Sequence, residues 1–129
     1  MSDTVELTLP VRADLVVLAR YAAATIASRA DFDVEEIEDL RLAVDELCVS
    51  VVDGTDDGRL ALRFVRDGDQ VEVECVFIPV PGSERAGDPL GRNDLSDRIV
   101  DALVDEHGQD RDGGHPRAWL RKRRAPRSR

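Results

Sequence analysis

Apolar and polar positions alternate first in Thr4–Leu9, where Val5, Leu7 and Leu9 face one way against Thr4, Glu6 and Thr8. That period of two predicts a half-buried strand, closed by Pro10. From Ala13 to Ser28 the apolar positions switch to helical spacing. Leu15, Leu18, Ala22 and Ile26 define the expected inner face of a first helix. A second helix starts at a clear signal: Asp33 precedes Glu36 by three residues, as in a capping box. Ile37, Leu40, Val44, Leu47, Cys48 and Val51 then step by three and four along one side, and Asp53-Gly54 supplies a stop.

Two strands are expected next, Arg59–Arg66 and Gln70–Ile78, joined by Asp67-Gly68-Asp69 in a hairpin. In the second, Val71, Val73, Cys75 and Phe77 point to a core, while Glu72 and Glu74 point away. Residues 79–93 contain three prolines with interspersed glycines and charges, and read as a loop: a functional lid or a flexible connector. A third helix is expected over Asp94–Glu106, with Leu95, Ile99, Ala102 and Leu103 inward. The polar run from Gly108 to Gly114 reads as a turn before a short last strand near Arg117–Arg121. The order β-α-α-β-β-α-β predicts an α+β, two-layer sandwich, with helices on one face of a mainly antiparallel sheet. One domain over residues 1–122 and a fraying basic tail over 123–129 complete this reading.

Charge changes the picture more than overall composition does. The chain of 129 residues carries 27 acids and 18 bases, a net of −9. Residues 117–129 hold seven of the bases and no acid, so residues 1–116 stand at −16. A body this acidic repels nucleic acid and attracts basic protein surfaces. The basic run Arg121–Arg124 resembles a nucleic-acid patch, but a solvated tail is the commoner meaning. No apolar run approaches a bilayer span, and the N-terminus lacks the pattern of a signal peptide. A cytoplasmic location is the expectation. Cys48 and Cys75 form no CxxC pair and are expected as buried free thiols. His107 and His115 are expected in exposed loops, and Trp119 at the sheet edge.

The chemistry-bearing stretch is Asp39–Gly54 in the second helix. Its core, Ala43-Val44-Asp45-Glu46-Leu47-Cys48-Val49-Ser50-Val51-Val52, resembles the N-box helix of the GHKL (Bergerat-fold) ATPases, specifically the RsbW-type anti-sigma serine kinases. The spelling LRLAVDELC is similar to degenerate actinobacterial members, and the order of elements agrees over about residues 4–122. Glu46 and Ser50 are four residues apart and share a helical face. The resemblance implies Glu46 as a catalytic general base, and position 50 as the ligand of the Mg²⁺ that bridges the ATP phosphates. Read from the residues alone, Glu46 is equally a solvated helix acid and Ser50 an ordinary serine.

Three departures act on that one ligand. Ser50 stands where the family has asparagine. The stretch Phe77–Ser83 offers no carboxylate for adenine, and Gly82 alone survives of the glycine pair. Asp94 and Asp97 lie in the segment that should cover phosphate. The expectation is therefore an anti-sigma factor that binds an alternative sigma factor, with a degraded ATP site and neither ATP nor Mg²⁺ as a firm cofactor. The resemblance further implies a homodimer and release by a STAS anti-anti-sigma protein. The alternative is an active Mg-ATP-dependent serine kinase that phosphorylates that STAS protein. A nucleic-acid module working through the basic tail is a third, weaker reading.

Overall fold

The computed structural model describes residues 2–52, 57–81 and 94–126. Among them the order is β1 (Ser2–Pro10), α1 (Ala13–Arg29), α2 (Val34–Val51), β2 (Arg59–Asp67), β3 (Gln70–Ile78), α3 (Asp94–Leu103), β4 (Glu106–Asp112) and β5 (His115–Arg123). The five strands form one antiparallel sheet in the order β1-β2-β3-β5-β4. The helices cover one of its faces, so the expected α+β sandwich is the fold. No helix among the described residues is long and apolar enough to cross a membrane.

The core lies between that sheet face and the helices. Leu60, Leu62 and Phe64 of β2, Val71, Val73 and Cys75 of β3, and Ala118 and Leu120 of β5 supply its floor. Leu40, Val44, Leu47, Cys48 and Val51 of α2 cover it, as their spacing predicts. Cys48 and Cys75 are both buried and free. The hydrogen bond that the Cys75 thiol donates to Cys48, with burial added, pushes the Cys75 thiol well above its ordinary range.

Three expectations need correction. The inner face of α1 is Ala19, Ala23, Ile26 and Ala27, whereas Leu18 is 41% exposed. Small side chains let this helix approach its neighbours closely, and a choice made by hydrophobicity alone favours leucine over them. The third helix ends at Leu103, not Glu106, and buries Val100 while Leu95 stays 64% exposed. The polar run after it is no turn: Glu106–Asp112 forms edge strand β4, paired with β5 from Glu106↔Arg121 to Asp112↔His115. His107 therefore sits in a strand, half-buried, with Nε2 3.3 Å from Asp101 Oδ1. The Asp53-Gly54 stop lies outside the described residues.

The uncovered sheet face is a lattice of paired charges. Arg117 bridges Glu74 at 2.8 Å and Asp110 at 2.9 Å, and Arg121 bridges Glu72 and Glu106 at 2.9 Å each. Trp119 lies between them on this face, not at an edge, with the Arg121 guanidinium 5.4 Å from its ring centre. It packs on Gly108, where an added Cβ would come within 3.0 Å of the indole.

Candidate functional site

Helix α2 is fixed at its start before it positions anything. Asp33 Oδ1 accepts the Glu36 N–H at 2.8 Å, and Glu36 Oε1 accepts the Asp33 N–H at 2.8 Å. This completes the capping box read from the sequence. The buried apolar stripe then sets the rotation of the helix, which fixes where its acids point.

Glu46 is half-buried at the contact between α2 and α3. The Ser96 hydroxyl donates to Glu46 Oε2 at 2.6 Å, across 50 residues of sequence. Ser50, one turn further on, is half-buried too, and its hydroxyl donates back to the Leu47 carbonyl at 2.7 Å. Gly82, the third candidate, lies outside the described residues. Ser96 was not singled out by the sequence, where Asp94–Asp97 drew attention for charge alone.

The neighbouring acid, Asp45, turns to the opposite side and lies 3.2 Å from Arg20 Nε of α1. Burial raises its carboxyl above the usual aspartate range, and the adjacent Glu46 charge adds to this while Arg20 opposes it. A cavity of about 510 Å³ opens on this side, between α1, the end of α2 and the start of β2. One helix thus presents Glu46 to α3 and Asp45 to a separate hollow.

The basic C-terminal segment is engaged within the fold. Beyond the two bridges of Arg121, Lys122 Nζ donates to the Leu103 carbonyl at 2.8 Å and Arg123 to Gln70 Oε1 at 2.9 Å. Arg124 lies 3.7 Å from Asp31. Arg124 and Ala125, assigned by sequence to a fraying tail, also donate their backbone N–H groups, to the Asp69 carbonyl at 2.8 Å and Glu36 Oε2 at 2.7 Å.

No protein-family model matches the chain. Curated relatives do match, among them three described as serine-protein kinase RsbW. The protein from Listeria monocytogenes (strain HCC23) is 39% identical over 77 residues, 57% of this chain and 49% of the relative. That of Bacillus pumilus is 36% identical over 78 residues, 55% of this chain and 48% of its own length. That of Halalkalibacterium halodurans is 34% identical over 73 residues, 55% and 45% respectively. The chain is similar to RsbW over this stretch. It spans about half the length of the curated RsbW relatives it matches.

Proposed function

We propose that this RsbW-type chain is an anti-sigma regulatory factor, which sequesters an alternative sigma factor by protein–protein binding and whose ATP site is degraded. Similarity to RsbW supports the class. The net charge of −16 over residues 1–116 supports the mode of action, because an acidic surface speeds encounter with the basic surfaces of a sigma factor. A homodimer, and release by a STAS anti-anti-sigma protein, belong to the same proposal.

The state of the two N-box-like residues carries the degraded site. Ser50 has a short side chain, and its hydroxyl is turned onto its own helix at the Leu47 carbonyl. Glu46 is already occupied by Ser96. A Mg²⁺ carried by ATP takes few protein ligands, and a serine hydroxyl turned onto its own helix fits that place less well than an asparagine carbonyl. Adenine would also lack its carboxylate partner, a loss of about 1–3 kcal/mol. That alone is roughly one to two decades of affinity.

Capture of the tagged chain from its native host, followed by identification of what stays bound, tests the proposal. A retained sigma subunit is the expected result, and a clean chain without a partner overturns it. The alternative, a serine kinase acting on the STAS protein, has one observation in its favour. Glu46 accepts a serine hydroxyl at 2.6 Å, the reach that a general base needs. Thermal unfolding with millimolar Mg-ATP separates the two: a gain above about 2 kcal/mol restores the kinase.

A further inference from the structure

The cavity behind α2 has a makeup that the proposed function does not use. Its volume, about 510 Å³, falls within the roughly 300–1,000 Å³ of small-molecule sites. Val16 of α1, Val49 and Val52 at the end of α2, and Leu60 of β2 supply aliphatic wall, and no aromatic residue lines it. Its charge runs against that of the molecule. In a chain of net −9, the described residues that line this hollow include two bases, Arg12 and Arg20, and one acid, Asp45.

Arg20 is the polar group that distinguishes this hollow from a packing defect. Its Nε is buried and makes no hydrogen bond among the described residues, although Asp45 Oδ1 lies 3.2 Å away as an ion pair. The Arg20 side chain is 38% exposed and its charge is shared with Asp45, so its terminal N–H groups are the ones that a ligand can engage. Guanidinium and carboxylate match in charge and in planar geometry. Arg12 stands more exposed at the rim, where Asp14, 3.4 Å away, offsets part of its charge.

We propose that this cavity binds an aliphatic carboxylate of medium chain length, with its hydrocarbon against Val16, Val49, Val52 and Leu60 and its head group at Arg20. The aliphatic wall selects the tail, and Arg20 selects an anion over a neutral alcohol. Affinity rises about fourfold with each added methylene until the cavity is filled. Occupancy bears on the same helix that carries Glu46 on its other side.

Decanoate titrated into the methyl-labelled protein, followed by NMR, tests this. Saturable shifts confined to the methyls of Val16, Val49, Val52 and Leu60 are expected. Arg20→Gln, with the Trp119 indole signal unchanged as a control of the fold, weakens binding by at least about tenfold, as does replacing decanoate by 1-decanol. Val16→Phe, which narrows the hollow and leaves Arg20 in place, weakens binding of decanoate. Absence of saturable shifts overturns the proposal, as does equal binding of decanoate and 1-decanol. Shifts that follow protein concentration alone would identify a second copy of the chain as the occupant, and likewise overturn it.

Discussion

Glu36 accepts two backbone N–H groups, one local and one distant in sequence: Asp33 at 2.8 Å through Oε1 and Ala125 at 2.7 Å through Oε2. A capping carboxylate thereby also moors the segment that follows β5. It is 9% exposed, the one buried charged side chain among the described residues. Glu36→Gln keeps one acceptor and leaves one of the two N–H groups unpaired, a cost of about 1–3 kcal/mol. Glu36→Ala also removes the capping box, at about 1 kcal/mol more. Urea unfolding should show a lower midpoint for both, in that order. An unchanged midpoint for Glu36→Ala would refute the mooring.

Asp3 gives the acid limb of stability a specific origin. Hydrogen bonds from Arg29 at 2.7 Å and Arg66 at 2.6 Å hold its carboxyl at about 2, below the ordinary 3.8. A carboxyl depressed in the folded state contributes stability above its unfolded pKa, and that contribution is lost as pH falls from near 3.8 towards 2. Asp3→Asn should therefore lower stability at neutral pH, and its deficit against the wild type should close as pH falls to 2. A constant deficit across that window would assign the loss to packing instead.

The Glu46–Ser96 hydrogen bond ties α3 to α2 and should be visible as coupling. Ser96→Ala and Glu46→Gln are each expected to cost about 1–2 kcal/mol, with the double variant costing less than their sum by about 1 kcal/mol. Strict additivity in urea unfolding would mean that the contact adds nothing to the packing of α3. Amide exchange in α3 should quicken in both single variants.

The basic C-terminal segment should not retain DNA. Arg121, Lys122, Arg123 and Arg124 are committed to acids, an amide and a carbonyl within the fold. Duplex DNA at low salt is expected to pass the immobilised chain without retention. Retention with a steep salt dependence, lost on deletion of residues 121–129, would reinstate the nucleic-acid reading.

The sequence made local features legible and left distant ones hidden. The Asp33–Glu36 box and the Leu40–Val51 stripe depend on spacings of three and four, so both could be read directly. Strand β4 escaped because Glu106–Asp112 is polar on both faces. An edge strand needs no alternation, and its charges discourage pairing with other chains. The alanine face of α1 escaped because close approach of a helix leaves less signal than burial of large side chains. In the candidate site, the shared face of Glu46 and Ser50 follows from helix geometry. Ser96 is joined to Glu46 by tertiary packing alone, and the Ala125–Glu36 bond spans 89 residues. No local pattern encodes either.

Equilibrium binding of the chain to each purified sigma subunit of its host, with and without Mg-ATP, is the most direct test of the proposal that it is an anti-sigma factor with a degraded nucleotide site. One subunit should bind, with an affinity that Mg-ATP changes by less than about twofold, or roughly 0.4 kcal/mol. Failure of every subunit to bind, or binding that appears only when Mg-ATP is present, would contradict the account.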